Sequence, residues 1–244
     1  MPALKNFVAV DWRAGKDKIY FFFKDINKYS RFDLADNLVE AGPTDIKATN
    51  WGAFHSHAKD LRFGFTTTAH NSKLDGAATM SELELDILWL FYYMDEIPTV
   101  CRYDQDLDKV ISVHSVKDSK WRALLPYFDR IVAGTWWKTS RHEHAFRFLL
   151  NDGTFLNLDF QPQAVTQKLP PITHLPITDK YYPGLEPYKN RIIAAVQNDQ
   201  PLFNCYYYIF LTNNEYIRYS IDDSRVDTGP RKIDDGTWPG LLRD

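Results

Sequence analysis

Four short apolar segments of this chain carry the polar residues Asp11, Arg62, Thr135 and Gln197. A carboxylate and a guanidinium on converging strands would form an ion pair, because an unpaired charge near a dry axis is costly. Asp11 is therefore the expected partner of Arg62. An acid and a base drawn from distant loops, Asp11 with Arg62 or Glu143 with His142, would suffice to isomerise or cyclise a small molecule. His55 and His57, and likewise His142 and His144, stand two residues apart. On a strand that spacing puts both imidazoles on one face, as a metal or haem iron would require. No third or fourth ligand is fixed by sequence, so solvated loop histidines are the ordinary reading. His70, His114 and His174 are scattered.

The familiar catalytic signatures are absent. There is no glycine-rich phosphate loop, no Gly-x-Ser-x-Gly, no His-Glu-x-x-His and no Cys-x-x-Cys. Cys101 and Cys205 are the two cysteines, too few for a disulfide framework; they read as small apolar thiols in a reducing compartment.

Such residues need a scaffold, and composition points to its class. The chain has 244 residues, 44% hydrophobic, with 14 Tyr, 16 Phe and 7 Trp. That is long for one average domain but within range for a single all-β domain. Flat rings and β-branched side chains pack well on pleated sheets. The net charge of −3, with signs mixed and no basic block, argues against nucleic acid. No apolar stretch is long enough to span a membrane, and no signal peptide follows Met1. A cytoplasmic location is the expectation.

Three signals recur four times in the same order. The first is an apolar opening strand with small residues near its middle: 7–12, 61–66, 131–136 and 192–197. Small side chains suit strands converging on a crowded axis. The second is a hairpin: Tyr20–Phe23 with Lys28–Asp33, Trp89–Tyr93 with Val100–Asp104, Ala145–Leu149 with Phe155–Asp159, and Tyr207–Phe210 with Tyr216–Ser220. The third is an apolar residue followed five positions later by an aromatic: Ile46 and Trp51, Val116 and Trp121, Ile177 and Tyr182, Ile233 and Trp238. One small sheet cannot bury both faces, whereas four sheets packed around an axis can. These signals predict an all-β, four-bladed propeller with blades near 5–57, 58–129, 130–190 and 191–244, each a four-stranded antiparallel sheet closed by a short helical turn.

Tyr20-Phe21-Phe22-Phe23, Tyr29-Ser30-Arg31-Phe32-Asp33, Gly42-Pro43, Ile46 and Trp51 resemble a hemopexin repeat, as do Tyr208-Ile209-Phe210, Glu215–Tyr219, Gly229-Pro230, Ile233 and Trp238-Pro239-Gly240. The resemblance covers the whole chain, with copies two and three more diverged. It implies a narrow axial channel and a bound small molecule: haem, a metal ion, a polyamine or an aromatic metabolite. It fixes the fold rather than the function. Two departures stand out. The family usually begins its inner strand with Asp-Ala-Ala, whose oxygens hold cations; the matching first positions are read here as Val8, Arg62, Val132 and Ile193. Neither cysteine lies where the family's first-to-last-blade disulfide would need it.

The resulting candidates for ligand binding at the channel mouth are Asp11, Trp12, Arg62, Thr135, Trp136 and Gln197, with Trp137 as a further stacking surface. A roughly twenty-residue insertion, Thr67 to Asp86, is read as a possible lid, with a helix starting near Thr79 or Ser81. Arg31, Arg102 and Arg218 recur at one repeat position, which suggests a repeated ion pair. Three functions compete: a ligand-binding protein, a cofactor-free isomerase or cyclase, and a lectin- or toxin-like module acting through blade edges.

Overall fold

The computed structural model describes residues 4–13, 17–68, 86–137, 145–160, 171–198 and 205–241. It is an all-β, four-bladed propeller, each blade a four-stranded antiparallel sheet. Blade one runs β1 (Phe7–Trp12), β2 (Lys18–Phe23), β3 (Lys28–Asp33) and β4 (Leu38–Asp45). Blade two is β5 (Leu61–Thr68), β6 (Asp86–Met94), β7 (Ile97–Asp104) and β8 (Lys109–Ser115). Blade three is β9 (Ile131–Trp136), β10 (Ala145–Leu150), β11 (Thr154–Asp159) and β12 (Ile172–Pro176). Blade four is β13 (Ile192–Gln197), β14 (Tyr206–Leu211), β15 (Glu215–Ser220) and β16 (Arg225–Lys232). The helix expected near Thr79 and the body of the insertion lie outside the described residues.

The four opening segments are the inner strands, and small residues sit where the axis is tightest. A Cβ on Gly64 would come within 2.8 Å of Val10 Cγ1, and one on Gly134 within 2.7 Å of Phe65 Cδ1. Outward from the axis, the polar turns close hairpins as their residues require. Asp95 and Glu96, both at positive φ, make a two-residue turn that extends β6 and β7 beyond their apolar runs.

The aromatic of each closing segment seals a blade interface. Trp51 lies among Trp12, Tyr20, Phe22 and Tyr103 between blades one and two. Trp121 lies among Phe65, Trp89 and Phe146 between blades two and three. Tyr182 meets Trp137, Phe155 and Tyr219 between blades three and four. Trp238 meets Phe21, Phe32 and Phe210 between blades four and one. All four rings are buried. The ring is closed without a disulfide. Both thiols are free, and blade four meets blade one through an apolar cluster that spans both. The Leu4 N–H adds a hydrogen bond of 3.0 Å to Asn214 Oδ1.

The recurrent arginine is part of a cross-strand pair with an aromatic: Tyr20 opposite Arg31, Trp89 opposite Arg102, Tyr208 opposite Arg218. The repeated ion pair forms in blades one and four, where Arg31 meets Glu40 at 2.7 Å and Arg218 meets Asp227 at 2.6 Å. In blade two, Arg102 lies 5.4 Å from the Trp89 ring centre.

Register corrects the reading of the inner-strand starts. In blades two, three and four a β-bulge leaves Arg62, Val132 and Ile193 without a partner across the ladder, whereas β1 has no bulge and pairs Val8 with Phe22. Val8 therefore corresponds to Phe63, Ala133 and Ala194. A bulge adds one residue to one strand and shifts everything counted across it.

Candidate functional site

The inner strands deliver their polar ends to one mouth of the propeller. Asp11, at the end of β1 and 2% exposed, accepts a hydrogen bond of 2.8 Å from the Thr66 N–H on β5. Thr66 returns its hydroxyl to the Asp11 carbonyl at 2.7 Å. Gln105, just beyond β7, donates to Thr66 Oγ1 at 2.9 Å and accepts from the Arg13 N–H at 2.8 Å. Blades one and two are thus tied at the axis by a network whose members satisfy one another, as buried polar groups must.

The cation in this network is Arg13. Its Nε donates to Asp11 Oδ2 at 2.9 Å, with both side chains under one-tenth exposed. Its guanidinium lies 5.7 Å from the ring centre of Trp136, on the diagonally opposite blade three. Arg13 therefore reaches across the mouth. Arg62 does not meet Asp11, contrary to expectation: its Nη2 donates to the Asp129 carbonyl at 2.6 Å. Arg62 precedes Thr66, Asp11's neighbour, by four strand residues, about 13 Å along β5. The expected acid–base pair of Asp11 with Arg62 does not form.

Blades three and four contribute Thr135, which donates its hydroxyl to Gln197 Oε1, and Gln197, whose amide donates to Cys205 Sγ. Burial raises the Cys205 thiol to about 11; the Gln197 hydrogen bond and the Arg13 charge pull it down, while Asp222 and Asp11 push it up. It is a neutral thiol at pH 7 rather than a nucleophile.

Trp12 does not reach the mouth cluster; it packs 4.8 Å from Tyr20 and against Trp51 in the interface of blades one and two. Trp137 packs against Tyr182, Tyr207 and Tyr219. His55 and His57 lie on a 3-10 turn, Gly52–Asp60, and not on a strand. There the i and i+2 side chains diverge: His55 Nδ1 pairs with the Gly52 carbonyl at 2.8 Å, and His57 stacks on Tyr92. His142, Glu143 and His144 lie outside the described residues.

Among the described residues no group of three or more His, Cys, Asp or Glu side chains is placed to hold a metal. No helix among them is long and apolar enough to cross a membrane.

Arg13, Thr66, Gln105 and Cys205 were not legible as site residues. Arg13 immediately follows an inner strand, and that position was the one available signal. No family model matches the chain, and no curated protein matches it.

Proposed function

We propose that this chain is a hemopexin-like propeller that binds a small polar molecule, neutral or anionic, at the mouth where its inner strands end. The observation that carries this reading is the Arg13 guanidinium, held by Asp11 and poised over the Trp136 ring. A planar cation beside an indole is a kind of group that recognises a polar ligand inside an apolar frame, while the Gln105 and Gln197 amides are taken up by the network that holds the mouth together. The hemopexin-like repeat supports the same location, because the family places its ligands on the axis. Asp11 has the role of a positioning residue, since its carboxylate is taken up by Arg13 and Thr66.

The test is a thermal-shift screen of the purified protein against a panel of small carboxylates, phosphates, sugars and polyamines. Acids or neutral polar compounds should raise the melting temperature of the wild type and not of Arg13→Gln. A panel in which only polyamines or divalent cations stabilise the protein would overturn the reading.

A further inference from the structure

A cavity lies away from the axis, on the face of blade three that looks toward blade four. In blades one, two and four the aromatic stands on the second strand and the arginine on the third. Blade three departs from this: Arg147 stands on β10, where the others carry the aromatic, and Asn157 faces it from β11. The acids that neutralise Arg31 and Arg218, Glu40 and Asp227, both sit on β-bulges of their outer strands. β12 pairs with β11 without a bulge, so the position that would carry the acid does not exist.

Arg147 is left as a guanidinium without an acidic partner among the described residues. Its plane is held by rings, with the guanidinium carbon 4.1 Å from the Trp137 centroid, 5.0 Å from Tyr182 and 5.3 Å from Phe155. Its Nε is buried and unpaired among the described residues, and its Nη1 reaches the Tyr181 carbonyl only at 3.5 Å. It borders a cavity of about 250 Å³ whose other walls include Asn157, Leu175 and Tyr181. Asp159, on the same cavity, is held by a contact of its own. The corresponding cavity between blades four and one, about 260 Å³, contains Arg218 already neutralised by Asp227. The two pockets thus differ in that Arg218 is ion-paired to an acid and Arg147, among the described residues, is not.

We infer that the cavity beside Arg147 binds a small planar monocarboxylate, its carboxylate on the guanidinium edge and its flat apolar body against Trp137, Leu175 and Tyr181. A planar guanidinium matches a carboxylate fork geometrically. A phosphate is disfavoured, because Trp137, Leu175 and Tyr181 leave its second charge without a partner and Asp159 on the same cavity repels it. The inference is independent of the channel mouth, because it uses none of the same residues.

The test is calorimetric titration of the full chain with benzoate, and with benzamide as its uncharged analogue. Benzoate should bind, benzamide should not, and Arg147→Gln should weaken benzoate by about tenfold or more. Asn157→Asp, nearly isosteric and directly opposite Arg147, should supply the missing acid and cause a comparable loss even if Arg147→Gln folds poorly. Arg218→Gln, in the charge-matched pocket, should leave benzoate affinity unchanged. No heat from benzoate at millimolar concentration, equal binding of benzamide, or full affinity retained by a folded Asn157→Asp would each overturn the assignment. Loss of benzoate binding in Arg218→Gln alone would place the site in the other pocket and do the same.

Discussion

Asp11 on blade one and Thr66 on blade two are locked by two reciprocal hydrogen bonds, the Thr66 N–H to the Asp11 carboxylate and the Thr66 hydroxyl to the Asp11 carbonyl, at 2.8 and 2.7 Å. The same carboxylate holds Arg13. Removing it takes the Asp11 carboxylate from a guanidinium under one-tenth exposed and leaves the Thr66 N–H without its acceptor. Asp11→Ala should therefore cost about 3–5 kcal/mol, the usual penalty for breaking a buried pair from one side. Asp11→Asn, which still accepts from Thr66, should cost less. Urea denaturation of both variants checks the order.

Arg62 provides the contrast. Its bond to the Asp129 carbonyl is a surface contact on a bulge residue. Arg62→Ala should lower stability by less than about 1 kcal/mol and leave ligand affinity at the mouth unchanged. A loss comparable to that of Asp11→Ala would show that Arg62 serves the axis after all.

Trp238 closes the ring, since it packs on Phe21 and Phe32 of blade one from the last segment of the chain. Trp238→Ala should destabilise by about 3–5 kcal/mol through the cavity it leaves. Trp238→Phe should recover part of that loss. Because this interface joins the chain's two ends, the loss should appear as one cooperative shift of the whole transition, followed by calorimetry.

Both thiols give a signed pH dependence. Burial raises Cys101 from 9.0 to about 12 and Cys205 from 9.0 to about 11. The folded state thus favours the protonated thiol. Its contribution is complete below pH 9 and is lost as pH climbs toward the folded values. Across that window stability should fall by about 1.4 kcal/mol per pH unit for each thiol titrating only in the unfolded chain. Urea midpoints between pH 8 and 11 should decline for the wild type, and less steeply for Cys101→Ala.

The propeller was legible because its signals are local and repeat in register. Opening strands, hairpin turns and closing aromatics each show their type within a few residues, and the structure places the four opening segments at the axis. The site was less legible, for two physical reasons. A β-bulge is invisible in sequence, so Arg62 was aligned with Val8 when its neighbour Phe63 is the true counterpart. The partner of Asp11 depends on the direction of one side chain: Arg13 lies outside the inner strand and finds Trp136 across the axis. Strand patterns specify faces, and say nothing of what a residue beyond the strand end can reach. The recurrent arginine was visible, but the place of Arg147 on the second strand of blade three becomes apparent only once it is seen opposite Asn157.

The most direct test of ligand binding at the mouth is the native mass of the gently purified wild-type protein beside that of Arg13→Gln. The wild type should carry a small-molecule adduct, removed on denaturation, that Arg13→Gln lacks. The bare mass of the 244-residue chain in both proteins, persisting after exposure to a metabolite extract, would contradict it.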